Sequence, residues 1–229
     1  MNRYSLIEGN FPREFILLQG TGCRWKRCTF CDYFNDTSDE PFSVNEPILR
    51  QVTGRLGVLD IINSGSACEL DPDTIALIQN IVRTKGIHII WFEMHYMYRN
   101  RLQNFAQLFH PAKVKFRCGV ETFDPVLRQT WNKGIPKNVT PEEIAKHFQG
   151  VCLLCCTDSP GDTQERLLRD IELSEQHFEY YSVNLFTPNA TSLKRNQEMV
   201  QWFERDVLPQ LKHSNKAEVL IDNDDLGVG

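Results

Sequence analysis

The chain has 229 residues, 41% of them hydrophobic and 24% charged, with 25 Lys and Arg against 30 Asp and Glu for a net charge of −5. That balance excludes disorder, collagen and coiled coil as whole-chain readings, and binding to polyanions by bulk charge. No apolar run reaches the roughly 18–20 residues that span a bilayer, and the charged N-terminus lacks a signal-peptide core, so a cytoplasmic protein without membrane contact is expected.

Apolar, β-rich runs recur at 15–19, 57–62, 87–92, 114–120, 151–156 and 181–186. Helical patterns fit between them, at 44–56, 71–84, 98–109, 124–131, 140–149, 162–176 and 196–211. Asp71-Pro72 and Thr140-Pro-Glu-Glu143 are helix-start signals. Six strands alternating with helices predict a parallel α/β sheet in a single domain over residues 1–229. Residues 217–221 can add a further strand. Nearly continuous apolar strands suit a sheet covered by helices.

The polar residues have their own order. Cys23, Asn63, Ser64, Gly65, Ser66, Glu93, Glu121, Asp158 and Thr187 each lie just after an apolar run. In parallel α/β folds, sites form at the carboxyl ends of strands.

Of eight cysteines, Cys23, Cys28 and Cys31 are packed into nine residues, Cys23-Arg-Trp-Lys-Arg-Cys28-Thr-Phe-Cys31. Without an export signal, metal ligation or free thiols are expected rather than disulfides. A structural zinc wants four closed ligands. Three cysteines suit an iron–sulfur cluster that keeps one iron open. Cys152, Cys155 and Cys156 read as small thiols filling a buried strand, the last two on opposite faces. Arg24, Lys26 and Arg27 read as a solvated loop or as countercharge to an anionic cluster.

These residues resemble the radical S-adenosylmethionine (SAM) superfamily, here with C-x4-C-x2-C in place of the usual C-x3-C-x2-C. The resemblance implies a partial (βα)6 TIM-like barrel with parallel strands. It implies a 4Fe–4S cluster on Cys23, Cys28 and Cys31, whose open iron chelates SAM and whose electron releases a 5′-deoxyadenosyl radical. Phe30 takes the place of the aromatic that borders the adenine. Asn63-Ser64-Gly65-Ser66 takes the place of the glycine-rich turn that meets the SAM amino group. Cys118-Gly-Val-Glu-Thr resembles the G-[VI]-[EQ]-[ST] signature of the branch that includes the Elongator catalytic subunit, and Asp158-Ser-Pro-Gly-Asp-Thr163 a later segment of that branch. By this analogy Glu93, Glu121 and Asp158 are candidates for the SAM ribose or amino group. Each has a plainer alternative: a rim carboxylate paired with a base for the two glutamates, a turn residue for Asp158.

Within the superfamily, the compact chain and the stretch from Gln19 to Tyr33 resemble queuine salvage lyases. That implies C–N cleavage of queuine, or a related deazaguanine, to return the aminomethyl-deazaguanine precursor used in tRNA queuosine modification. It implies an electron donor such as flavodoxin or ferredoxin and no direct nucleic-acid partner. Glu8, Asp32, Asp222 and Asp224 are available carboxylates for the substrate base. The alternatives are a tRNA- or nucleoside-modifying member working with a partner protein, and a zinc-binding structural module.

Overall fold

A computed structural model describes residues 2–229. The chain divides into two compact units, residues up to 26 with 33–116 and 224–229, and residues 27–32 with 117–223.

In the first unit β1 (Tyr4–Ile7) pairs antiparallel with β2 (Arg13–Leu18). β3 (Val58–Asn63) and β4 (Ile89–Glu93) continue in parallel. The register sets Leu18 beside Asn63, so the chain leaves β2 and β3 at the same edge. The crossovers are helical. α1 (Pro41–Leu49) lies between β2 and β3, and α2 (Pro72–Thr84) between β3 and β4. Asp71 caps α2, accepting the Thr74 amide at 2.8 Å, with Pro72 preset for the first turn. After β4 a 3-10 turn (Tyr96–Arg101) leads into α3 (Leu102–Gln107). Phe92 packs with Phe105 and Phe109 at centroid distances of 5.2 and 4.9 Å. An ion pair, Arg13 to Asp60 at 2.9 Å, is buried under the same strands.

The second unit holds the end of β5 (Lys113–Glu121), then β6 (Gly150–Cys155), β7 (Tyr180–Leu185) and β8 (Ala217–Leu220), paired in parallel in that order. The crossovers are α4 (Pro125–Thr130), α5 (Pro141–Ala145), α6 (Gln164–His177), α7 (Gln197–Trp202) and α8 (Leu208–Leu211). Asp124, Thr140 and Thr163 cap the first three of these. Leu127, Trp131, Leu154 and Phe186 form a core beneath Phe30 and Leu193.

All six expected runs and the added strand are present within two residues of their expected limits. Four differences have physical causes. β1 carries no alternation to read, because all four of its residues are half-buried at a sheet edge. The expected helix 44–56 starts at Pro41 and stops at Leu49. Glu14 there captures the amides of Thr53 and Gly54 at 2.7 and 2.6 Å, and Gly54 takes φ +77°, which competes with another helical turn. The expected helix 196–211 is broken by a π turn at Phe203–Val207 just before Pro209, which has no amide to donate. Cys155 and Cys156 do not lie on opposite faces. β6 ends at Cys155, Cys156 turns to φ +64°, and the sulfurs lie 3.6 Å apart. Alternation holds only while the backbone stays extended. Burial and the Cys156 thiol push the Cys155 thiol well above its ordinary pKa.

Candidate functional site

In the first unit the residues after β2 and β3 meet. Ser64 accepts the Gly20 amide at 3.1 Å, and Ser66 accepts the His95 amide at 3.0 Å. Gly22, at φ +122°, turns the chain into Cys23, whose sulfur accepts the Lys26 amide at 3.5 Å. A Cβ on Gly65 would lie 3.2 Å from the Cα of Cys23 and 2.3 Å from a Glu69 oxygen. Position 65 is glycine because the cysteine loop crosses this turn backbone to backbone. Asn63 donates to the Ser66 carbonyl at 3.4 Å, while its buried Oδ1 has no hydrogen-bond partner among the described residues. Glu93 ends β4 and is half-buried.

In the second unit the segment 27–32 is held from two sides. The Thr29 amide donates to the Trp131 carbonyl at 3.1 Å, and Asn132 donates to the Arg27 carbonyl at 3.0 Å. Asn189 donates to the Phe30 carbonyl at 2.8 Å, and Asp32 accepts the Ala190 amide at 2.9 Å. Asp32 therefore serves the loop's own architecture. Phe30 stands edge-on to Trp131 at 5.8 Å. Cys28 and Cys31 are half-buried, as is Cys23, whereas Cys118, Cys152, Cys155 and Cys156 are buried.

Glu121 ends β5 at φ +64° and is buried in an ion pair with Lys133 at 2.8 Å. Strain of this kind in a non-glycine residue concentrates at functional sites. Burial works against the Lys133 charge, yet Glu121 and the nearby Cys28 raise its pKa above the ordinary lysine value. The ammonium also lies 5.5 Å over the Phe30 ring. Asp158 is exposed and closes a turn, its Oδ1 accepting the Lys194 amide at 2.9 Å. Of the other candidate carboxylates, Glu8 pairs with Arg55 at 2.6 Å and Asp222 with Arg195 at 2.8 Å.

Sequence reasoning missed Glu69 and Lys133. Ser66-Ala-Cys-Glu69 is a capping-box pattern and was readable. Nothing in the spacing links Lys133 to Glu121. Among the described residues no group of three or more His, Cys, Asp or Glu side chains is drawn close enough to hold a metal ion. The chemistry of the loop donors nevertheless fits a thiolate-held group: three soft, half-buried thiols, with a buried ammonium beside Cys28.

No protein-family model matches the sequence, and no curated protein matches it. Among solved structures, a queuine lyase from Clostridium spiroforme bound to SAM and queuine is 34% identical, with a TM-score of 0.94 over 100% of this chain and 99% of that one. Streptococcus suis SuiB bound to S-adenosylmethionine matches at 14% identity and a TM-score of 0.56, over 93% of this chain and 47% of that one, a likeness of fold alone. The fold is the partial TIM-like α/β barrel. The chain belongs to the radical SAM superfamily of enzymes, in the queuine lyase family.

Proposed function

We propose that this chain, working as one catalytic domain, is a radical SAM lyase that cleaves the C–N bond of queuine and releases the aminomethyl-deazaguanine precursor for tRNA queuosine salvage. The observation that carries this reading is the end-to-end likeness to a queuine lyase bound to SAM and queuine. Cys23, Cys28 and Cys31 are the proposed ligands of a 4Fe–4S cluster. When bound, the cluster supplies the one electron that cleaves the SAM sulfonium to a 5′-deoxyadenosyl radical.

The protein's own groups have distinct tasks in this reading. The Asn63–Ser66 turn takes the SAM amino group, and the unsatisfied Asn63 Oδ1 is an acceptor suited to an ammonium. Phe30 offers a ring to the adenine. Glu93, Glu121 and Asp158 are the proposed ribose and amino-group ligands. Glu121 brings its own countercharge in Lys133, and Asp158 already spends one oxygen on Lys194. Hydrogen abstraction from the cyclopentenediol ring leaves a ring radical; the C–N bond then breaks, and the radical fragment that remains is closed by one electron from the donor and one proton. A flavodoxin or ferredoxin is the proposed electron donor.

The test is anaerobic expression, reconstitution with iron and sulfide, reduction, and assay of 5′-deoxyadenosine from SAM with and without queuine. Strong stimulation by queuine, with an aminomethyl-deazaguanine product, is expected. SAM cleavage indifferent to queuine would remove this substrate. An anaerobic preparation holding stoichiometric zinc and cleaving no SAM would remove the cluster and the radical chemistry.

A further inference from the structure

The carboxylate of Glu69 joins three segments of the first unit. Its Oε2 accepts the Ser66 amide at 2.8 Å. Its Oε1 accepts the amide of Arg24, the residue after Cys23, at 3.1 Å, and the Tyr98 hydroxyl at 2.5 Å. The same three segments are tied a second time. His95 gives its amide to Ser66 at 3.0 Å and stacks its ring on Trp25 at 5.5 Å. A helix-start box needs only the Ser66 contact. The bonds from Arg24 and Tyr98 exceed that need, and both run to the loop that carries Cys23 or to the segment after β4. Gly65 admits the Cys23 backbone within van der Waals reach of the turn, and Glu69 fixes how far apart the two stand.

We propose that Glu69 is a positioning residue that sets the register between Cys23 and the Asn63–Ser66 turn, and so aligns a cluster held at Cys23 with the amino group of SAM. The inference rests on the function proposed above. Outer-shell carboxylates that orient ligands commonly matter by about 10–100-fold in affinity or activity.

The test uses the reconstituted holoenzyme and the variants Glu69→Ala, Glu69→Gln and Tyr98→Phe. In Glu69→Ala the KM for SAM is expected to rise by about tenfold or more, while the KM for queuine stays at the wild-type value. The electron paramagnetic resonance signal of the reduced cluster should lose its response to SAM at a concentration that saturates the wild type. Glu69→Gln recovers part of the loss, since its amide oxygen can still accept from Arg24 and Tyr98. Tyr98→Phe shows a smaller rise in the same direction. An unchanged KM for SAM with an unchanged spectral response would overturn the proposal. So would equal rises in both KM values, the mark of a merely structural role. If Glu69→Ala does not fold, Tyr98→Phe decides, and an unchanged KM for SAM in that variant refutes the role. A wild-type protein that holds no cluster fails the proposed function itself, whereas a normal wild type with indifferent variants fails only Glu69.

Discussion

At the scale of single residues, the Glu121–Lys133 pair is held against two costs. Glu121 adopts a left-handed backbone, and both charges are removed from water. Removing one partner of such a pair strands the other charge, at a cost of about 3–5 kcal/mol. Lys133→Met is therefore expected to lose about that much stability in urea denaturation, and Glu121→Gln added to it should restore a large part. A single variant as stable as the wild type would show that the pair is solvated. Cys68 gives a pH signature. Burial, then the Glu69 carboxylate, push its thiol up to about 12. Alkylation of Cys68 in the metal-free protein should rise about tenfold per pH unit from pH 8 to 10 without a plateau, since only the thiolate reacts. A plateau near pH 9, followed by mass spectrometry, would contradict the shift. The stability sign follows too. An unfolded thiol loses its proton at about 8.5 while the folded one keeps it, so this contribution is full below pH 8.5 and fades as pH climbs toward 12. Three thiols in nine residues stand out in the sequence because soft donors at short spacing have few other uses. Lys133 was not legible, because burial and a loop of undetermined path decide where its ammonium ends.

At the scale of elements, buried strands announced themselves through continuous apolar runs, and the helix starts at Asp71 and Thr140 through their capping signals, while the end of α1 did not. The end of α1 depends on Glu14, which lies over thirty positions earlier in the chain and has no local signal. The end of β6 depends on one residue, Cys156, turning left-handed. Asn45 shows what such long-range ties are worth. Buried on α1, it accepts the Gln19 amide at 2.8 Å, donates to the Gln19 carbonyl at 2.8 Å, and donates to Thr74 at 3.1 Å on α2. It thereby fixes the residue with which the chain leaves β2 for the cysteine loop. Asn45→Ala strands buried polar groups, each at a cost of about 1–3 kcal/mol. A melting temperature lower by about 2–4 °C per kcal/mol is expected for a chain of this size. A melt that matches the wild type would mean that the loop's departure from β2 needs no tie to α1.

At the scale of the molecule, the strand ends that coincide within each unit were legible, because parallel pairing fixes which ends lie side by side. Leu18 beside Asn63 in the first unit and Cys155 beside Leu185 in the second bear this out. The division of labour between scaffold and loop then makes a sharp prediction. The cores are built from buried strand and helix residues such as Ile61, Phe92, Leu127 and Trp131, and include none of Cys23, Cys28 and Cys31. The segment 27–32 is held by bonds through the backbones of Arg27, Thr29 and Phe30 and the Asp32 side chain, and Cys23 by the packing of its backbone on Gly65. Replacing all three thiols by Ser leaves each of those contacts in place. The triple variant should therefore keep the far-ultraviolet circular dichroism of the wild type and still melt cooperatively, as the metal-free wild-type protein does. It should also take up no iron and cleave no SAM. A structural zinc module behaves in the opposite way, because its metal supplies the folding free energy and loss of a ligand unfolds it. A triple variant that unfolds would therefore move these cysteines from the chemistry to the architecture, and a folded, inactive one fixes them as the part of the loop that the scaffold exists to present.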